Sequence, residues 1–365
     1  MYTIENQNCI LRGLKSFAVP VLSVLLAAAA GAIILAISGT NPAEAYTALL
    51  KGAFGDLSSF SRTLEKATPL ILNGLAVALA LRAGLFNIGT QGQLLFGALA
   101  SAVVGFSFQD LPSLIHIPFA MIAGIAAGGL YGIIQGALKA YTGAHEVITG
   151  IMFNYIAINI TDYLTNGPFR DTSPGNIIAR TPLISETSCL PDVTGIPAGF
   201  LVCLIAAVFV WWIFKSTVIG FEIRMVGSGA NAARYSGIRI KGILMITMLA
   251  SGALAGLGGA IETQGIVHRF QPGFNIGLGF EGITIALLGR IHPFGIVPAA
   301  ILFGAMKSGA GLMQFTVDVE TEIIDVIQAL ILFFVAADLL VGRIIPGVAG
   351  SRERLNLSAG WGSQA

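Results

Sequence analysis

Residues 80–97 read ALRAGLFNIGTQGQLLFG, and residues 271–289 read QPGFNIGLGFEGITIALLG. Both stretches contain Phe-Asn-Ile-Gly, at 86–89 and at 274–277, and both interrupt apolar sequence with glycine and polar side chains. Backbone groups that leave a helix inside hydrocarbon are costly unless protein or water satisfies them. Because the same break occurs twice in an apolar chain, we ask what satisfies the backbone at each of the two positions.

The composition predicts a polytopic membrane protein. Of 365 residues, 55% are hydrophobic and 11% are charged, whereas a soluble domain carries about 25% charged residues. The net charge of +1 argues against the basic face of a nucleic-acid-binding protein, so we expect no nucleic-acid partner. Cys9, Cys189 and Cys203 show no CxxC spacing, so we expect neither a disulfide framework nor a metal or cofactor site.

Ten apolar windows approach the roughly 20 residues that a spanning helix needs, and they predict an all-α membrane fold. The predicted spans are 17–38, 67–83, 91–108, 114–138, 146–166, 198–214, 243–262, 276–291, 293–313 and 322–341. The first follows Arg12 and Lys15 but lacks a clear small-residue cleavage site, so we expect a retained helix rather than a signal peptide.

The distribution of Lys and Arg predicts the orientation. With the N-terminus inside, thirteen of these residues fall on the inner side and six on the outer. This places both termini in the cytoplasm, the connections 39–66 and 167–197 outside, and the connection 215–242 inside. Residues 1–345 then form a single transmembrane domain, and residues 346–365 form a cytoplasmic tail.

Ten spans divide into two halves of five, about 17–166 and 198–341. An odd number of spans per half gives the halves opposite orientations, which is the inverted repeat of many transporters. Each Phe-Asn-Ile-Gly copy falls between the second and third span of its half. The equivalent placement of the two copies supports the repeat more strongly than the four-letter match does.

Polar residues near these breaks are candidates for a substrate pathway, because interrupted spans at matching positions point to a transporter's site. The candidates here are Asn87, Gln91 and Gln93 in the first half and Asn275 and Glu281 in the second. The alternative is a short helix connection near the headgroups, with no contact to substrate.

The fifth span carries too many polar groups to face lipid on all sides. Its candidate pathway residues are Asn154, Tyr155, Asn159 and Asp162. Asn154 and Asp162 are eight residues apart, which predicts that they lie on nearly the same helix face. Alternatively, Asp162 lies at the level of the outer headgroups and takes no part in the pathway.

Small residues in two spans predict close helix contacts. The fourth span carries glycine at 124, 128, 132 and 136, and the seventh carries glycine at 252 and 256. Such stripes let helix backbones approach closely, either within the chain or, as the alternative, between subunits.

The inner connection 215–242 contains GSGANAARYSGI at 227–238. Its basic residues suit an anionic membrane surface, but the helix-forming Ala232, Ala233 and Arg234 followed by Gly237 predict a short helix over Asn231–Tyr235. An isolated helix of this length is marginal in water. We therefore expect a docking partner.

This segment resembles the cytoplasmic coupling loop of ATP-binding-cassette (ABC) importer permeases. TPLILNGLAVALALRAGLFNIGTQGQLLFGALA (68–100), HEVITGIMFNYIAINITDYLTNGPFRD (145–171) and GFEGITIALLGRIHPFGIVPAAILFGAM (279–306) are similar to the permease family for simple sugars, nucleosides and branched-chain amino acids. Within it, Ala83–Gln93 and Asn-Tyr-Ile at 154–156 resemble the nucleoside permeases that work with a basic-membrane-protein-type binding lipoprotein. The resemblance covers about residues 60–345.

The resemblance implies a non-enzymatic permease subunit of a bacterial cytoplasmic membrane importer. Its partners would be a second permease, identical or different, a cytoplasmic ATPase and an extracytoplasmic binding protein. The ATPase-coupling helix would comprise Asn231, Ala232, Ala233, Arg234, Tyr235 and Gly237. Many members have a small residue and then Glu where this chain has Thr90-Gln91, so a role resting on that carboxylate does not carry over. The sequence contains no GxxxxGK[ST] phosphate-binding loop.

Other functions remain open at this point. A ribose-type sugar would suit the same amide-rich and aromatic lining as a nucleoside. An ion-coupled transporter would use Asp162, Glu262 or Glu281 as its coupling carboxylate. A membrane-embedded enzyme is disfavoured, with no catalytic residue assigned, because the four histidines (His116, His145, His268 and His292) are scattered and show no HExxH spacing.

Overall fold

The computed structural model of the chain describes residues 2–174, 176–193, 195–273 and 277–336. Across these ranges the α-helices are α1 (Tyr2–Ile37), α2 (Pro42–Phe54), α3 (Leu57–Arg82), α4 (Thr90–Ser107), α5 (Ser113–Thr142), α6 (Glu146–Asn166), α7 (Ala198–Ser216), α8 (Val218–Ser228), α9 (Ala230–Tyr235), α10 (Ile240–Glu262), α11 (Leu278–Leu288), α12 (Pro293–Val317) and α13 (Glu322–Ala336). Strands β1 (Asp192–Val193) and β2 (Ile196–Pro197) form one small antiparallel pair. The predicted all-α architecture is confirmed.

Seven helices within the described ranges are long and apolar enough to cross a membrane. They include Pro20–Ile37 of α1, all of α3, α5, α6, α7 and α12, and Ile240–Val267, which comprises α10 and the turn after it. The other three predicted spans fall short of this criterion: α4 begins with Thr-Gln-Gly-Gln, α11 has 11 residues, and α13 has 15 described residues. The chain is a multi-pass membrane protein.

The connection 39–66 is mostly helical, so its prediction as a loop is wrong. It contains α2 and the first turns of α3, which begins ten residues earlier than the predicted span. Asp56 caps α3 by accepting a hydrogen bond from Ser59 N at 2.6 Å. Arg62 and Lys66 lower the local hydropathy, but they lie on the exposed side of the helix and do not end it.

The centre of the fold is α3, 89% of whose apolar window is buried, against 22% for α6. The glycine stripes of α5 and α10 pack against each other, as predicted for contacts within one chain: a Cβ at Gly128 or Gly132 would collide with the α10 backbone at Gly252 or Met248. This backbone contact fixes α10 beside α4 and α5, where the first break in the apolar sequence lies.

Candidate functional site

The break between α3 and α4 is held by the buried side chain of Asn87. Its Nδ2 donates to Gln93 Oε1 at 2.9 Å and to Ser251 Oγ at 2.8 Å. Ser251 donates in turn to the carbonyl of Ala76 at 2.6 Å. Because Ser251 is on α10 and Ala76 is on α3, these hydrogen bonds join the break to two neighbouring helices.

Asn154 on α6 satisfies the backbone on both sides of the start of α4. Its Oδ1 accepts from Gly92 N at 2.9 Å, and its Nδ2 donates to the carbonyl of Ile88 at 3.0 Å. Asn87, Gln93 and Asn154 are 1%, 0% and 5% exposed. Asn154 provides partners that non-helical backbone needs at membrane depth, whereas Asn87 and Gln93 bond to other buried side chains. This conformation opens none of the three to a substrate.

The N-termini of α4 and α11 are joined through Gln91. Its Oε1 accepts from Gly279 N at 2.8 Å, and the neighbouring Thr90 Oγ1 donates to the Gly279 carbonyl at 3.1 Å. A Cβ at Gly279 would collide with the backbone of Gln91, so glycine is needed for this approach. At Gln91, where many members of the family that this chain resembles have Glu, the amide therefore makes a structural contact with Gly279. Asn275 and the rest of 274–276 lie outside the described residues.

Glu281 on α11 forms an ion pair with Lys307 on α12. Lys307 Nζ lies 2.7 Å from Glu281 Oε1, and the two side chains are 27% and 19% exposed. Charges at membrane depth are usually paired in this way. Glu281 is therefore a paired carboxylate at the α11–α12 contact, and it is not part of the amide network of Asn87 and Asn154.

The remaining candidates lie on a side of α6 that is away from Asn154 and is open in the single chain. Tyr155 is 62% exposed and Asn159 is exposed, with its Nδ2 donating to the Tyr155 carbonyl at 2.8 Å. Asp162 is half-exposed, whereas Asn154 is buried. Eight residues at 3.6 per turn leave Asn154 and Asp162 about a quarter-turn apart, so the two lie on adjacent parts of the helix surface.

The predicted helix of the inner connection is present as α9, beginning one residue earlier than expected. It ends at Tyr235, and the turn after it contains Gly237, whose φ of +79° favours glycine. Gly237 N donates to the Arg234 carbonyl at 3.0 Å and Ile238 N to the Ala233 carbonyl at 3.1 Å. Ala233 is 0% exposed while Tyr235 is 94% exposed. The helix is thus anchored by one buried alanine, and its exposed side chains are Asn231, Ala232, Arg234 and Tyr235.

Sequence reasoning did not identify the covering segment at the other end of the bundle, residues 181–190 between α6 and α7. Three of its amides donate to carbonyls at and beyond the end of α10: Thr181 to Phe270, Ile184 to His268 and Leu190 to Gln264. The last of these carbonyls belongs to the π-helical turn Thr263–Val267. The polar letters Glu-Thr-Gln at 262–264, which end an apolar span, were the available signal.

Histidine and cysteine side chains in the described ranges serve as local hydrogen-bonding groups rather than as a metal centre. The His116 ring nitrogens lie 2.8 Å from Thr187 Oγ1 and 3.2 Å from the Val104 carbonyl. Cys189 Sγ lies 3.5 Å from His268 Nδ1, and burial raises the pKa of this thiol. No cluster of three or more His, Cys, Asp or Glu side chains suited to a metal occurs in the part of the chain that the structure describes.

Comparison with known proteins gives a consistent result. Residues 59–336 match the family described as branched-chain amino acid transport system, permease component. The chain is 41% identical to the guanosine ABC transporter permease protein NupP of Bacillus subtilis, covering 92% of this chain and 97% of that protein. It is 37% identical to the nucleoside ABC transporter permease protein NupB of Lactococcus lactis (90% and 93% covered) and 33% identical to the glucose ABC transporter permease protein TsgB13 of Haloferax volcanii (93% and 92% covered).

Proposed function

This chain belongs to the branched-chain amino acid transport system permease family, and from that premise we propose that it carries nucleosides through an ATP-driven importer. It is a permease component and not the ATP-hydrolysing subunit. The nucleoside assignment rests on similarity to two nucleoside permeases, at 41% and 37% identity over at least 90% of the chain. The glucose permease is more distant, at 33%, so a simple sugar is the second candidate substrate.

The observation that carries an ABC mechanism is the exposed helix α9. Its single buried anchor is Ala233, and Tyr235 is almost fully exposed, so a helix too short to be stable alone is presented for docking. We assign its partner as the cytoplasmic ATPase. ATP-driven closure of the ATPase would move α9 and the helices attached to it as a rigid body.

The architecture that we propose is two inverted five-helix halves, about 17–166 and 198–341, within one domain of residues 1–345. The short helices α4 and α11 support it, because each follows a break at the corresponding position of its half and the two meet at Gln91 and Gly279. Both termini, with the tail 346–365, would be cytoplasmic in a bacterial inner membrane. An extracytoplasmic binding protein would then dock on the side of the connections 39–66 and 167–197.

The exposed polar face of α6 is the wall of the pathway in this proposal. Tyr155, Asn159 and Asp162 cannot all face lipid at low cost, so a second permease subunit, identical or different, would enclose them in a polar cavity. Asn159 donates within its own helix and has an amide oxygen to offer. A nucleoside is uncharged and rich in hydrogen-bonding groups, so amide and aromatic groups suit it.

The contacts of Glu281 disfavour an ion-coupled mechanism through that residue. A coupling carboxylate must exchange a proton or an ion, whereas Glu281 is held by Lys307 at 2.7 Å. Uptake that survives loss of the ATPase and is abolished by a protonophore would restore the ion-coupled alternative.

The test is uptake of radiolabelled guanosine in cells that express the complete importer, with glucose and ribose as competitors. Ala232→Asp places a carboxylate on the exposed side of α9, and Ser216→Asp places the same group at the exposed end of α7. We expect Ala232→Asp to abolish uptake with normal membrane insertion and Ser216→Asp to retain it. Equal uptake by the two variants would contradict the coupling role of α9. Inhibition of guanosine uptake by excess glucose or ribose would instead indicate that the substrate is a sugar.

A further inference from the structure

An open cavity lies at the junction of α9 and α10. Its volume is about 280 Å³, and it is lined by Arg234, Ile238, Arg239, Ile240 and Lys241. Gly237, whose backbone is left-handed (φ +79°), lies in the turn between the end of α9 and the start of α10. Three cationic side chains and two isoleucines thus line one cavity.

The cations of this cavity lack an acidic partner. Arg234, Arg239 and Lys241 take no part in the ion pairs Lys139–Glu146, Arg180–Asp171 and Lys307–Glu281 of the described residues. The first turn of α10 contains no acidic residue either. All three cations are exposed, while Ile238 and Ile240 are half-buried, so the cavity is positive at its rim and apolar in its lining.

The position of the cavity fits the boundary of the bilayer. Ile240 is the first residue of a candidate membrane span, Ile240–Val267. Lys241 Nζ lies 5.0 Å from the ring centroid of Tyr141, at the end of the span Ser113–Thr142. Aromatic residues at the ends of spans mark the headgroup level. The cavity therefore lies at the ends of two candidate spanning helices.

We propose that this cavity binds the phosphate of an anionic phospholipid of the inner leaflet. Arg234, Arg239 and Lys241 would hold the phosphate, and Ile238 and Ile240 would contact the glycerol and the upper acyl chain. Basic pockets between membrane helices on the cytoplasmic side bind lipid headgroups in this way. The volume of about 280 Å³ is far more than the roughly 10–15 Å³ that a cavity needs to hold one water, so a phosphate diester has room to enter.

The consequence is a lipid contact beside the coupling helix. Arg234 belongs to α9, whereas Arg239 and Lys241 belong to the start of α10, so one phosphate would bridge the two. Lipid binding at this cavity is separate from the identity of the transported substrate. It requires only that the connection 215–242 faces the cytoplasm, as proposed above.

The experiment is a titration of the purified full-length chain with phosphatidylglycerol or phosphatidylcholine, counting bound lipid by native mass spectrometry. The variants are Lys241→Gln, the triple change of Arg234, Arg239 and Lys241 to Gln, and Lys215→Gln. Lys215 is a matched control because it is also exposed at the end of a span and lies 4.6 Å from an aromatic centroid, that of Trp211, but outside the cavity.

We expect the wild type and Lys215→Gln to bind phosphatidylglycerol in preference to phosphatidylcholine. The triple variant should bind it about a hundredfold more weakly, since each basic residue near an anionic surface contributes about 1 kcal/mol and 1.4 kcal/mol is tenfold. The affinity of Lys241→Gln for phosphatidylglycerol should fall about fivefold on the same scale. Lys241→Arg keeps the positive charge and should retain the wild-type affinity. These single changes keep the test valid if the triple variant is poorly folded.

Several results would overturn the proposal. Equal phosphatidylglycerol binding by the wild type and the folded triple variant would do so, as would an equal loss in Lys215→Gln, which would indicate general surface charge. Displacement of the lipid by millimolar inorganic phosphate would assign the cavity to a soluble anion. Release of the lipid when the ATPase subunit is added would assign it to the ATPase interface. Lipid binding is measured without transport, so failure of nucleoside uptake would not affect this result.

Discussion

Two asparagines on different sides of α6 differ in burial and in hydrogen bonding. Asn154 is 5% exposed and has partners at both ends of its amide, Gly92 N and the Ile88 carbonyl. Asn159, five residues later, is exposed and donates only to its own helix in the described structure. One amide completes the fold of a single chain, and the other is left for a second component to cover.

This difference separates polarity that maintains structure from polarity that is available for function. Removing a buried group strands its partners, whereas removing an exposed group strands nothing inside the chain. The buried set Asn87, Gln93 and Asn154 should therefore control stability. The α6 face of Tyr155, Asn159 and Asp162 should control transport.

Asn154→Ala is expected to produce the largest effect on stability. It leaves Gly92 N and the Ile88 carbonyl without their partner inside the protein, at about 1–3 kcal/mol for each buried group. The apparent Tm of the detergent-solubilised chain should fall clearly, together with its yield in the membrane. Asn159→Ala on the same helix is the control, and a Tm loss of equal size in the two variants would remove the distinction between the two sides.

The ion pair of Glu281 and Lys307 gives an intermediate case, because both side chains are partly exposed. Lys307→Met should leave an unpaired carboxylate and destabilise the chain by about 1–3 kcal/mol, between the values for surface and buried pairs. Adding Glu281→Gln should recover part of the loss. A double variant as unstable as the sum of the two single variants would show that the pair contributes no coupling energy.

Asn159→Ala should change the free energy of unfolding by less than about 0.5 kcal/mol, as is usual for exposed positions. Guanosine uptake should nevertheless fall severalfold, because the proposed pathway loses an amide that faces it. Uptake by cells with matched amounts of inserted protein provides the measurement. If Asn159→Ala and Tyr155→Ala both take up guanosine at the wild-type rate, the exposed face of α6 does not line the transport pathway.

The sequence was sufficient to predict the class of the protein and much of its helix order. Apolar windows located the helices, the break at 83–89 was visible as glycine and amide letters, and Gly237 marked the end of α9. Helix α2 was missed because Lys51 and small residues lower its hydropathy, although Asn41 caps it by accepting from Ala43 N at 3.1 Å. Local composition identifies a helix poorly when tertiary packing supplies its stability.

Which polar residues are buried could not be predicted, because burial depends on helix rotation against distant neighbours. Asn87 bonds to Ser251, which is 164 positions away, and Ser251 and Thr247 are isolated hydroxyl residues in an apolar stretch of α10. Glu281 and Lys307 are 26 positions apart on different helices. No local period relates such pairs, so the candidate set could be divided only after the helices were placed.

The smallest expected effect lies outside the membrane spans, at Asp171 in the connection between α6 and α7. Hydrogen bonds from Ser173 Oγ and N, at 2.5 and 3.0 Å, and the nearby Arg180 hold the pKa of this carboxyl below its ordinary value. A lowered folded pKa means that the stabilisation is complete above the ordinary value of about 3.9. It is lost as the pH falls through the lower folded value.

The turn at Asp171 and Ser173, with its contact to Arg180, should therefore persist at neutral and mildly acidic pH and loosen only below about pH 4. Hydrogen exchange of the Asp171 amide, which donates to the Arg180 carbonyl at 2.8 Å, reports this opening once intrinsic exchange rates are divided out. Asp171→Asn should remove the acid transition and leave weaker protection at every pH. An acid transition that persists in Asp171→Asn would assign it to another group. Asp171 is only 8% exposed and its carboxylate is satisfied within its own connection, so it belongs with the buried Asn154, whose polar atoms are committed to the fold, rather than with the exposed Asn159.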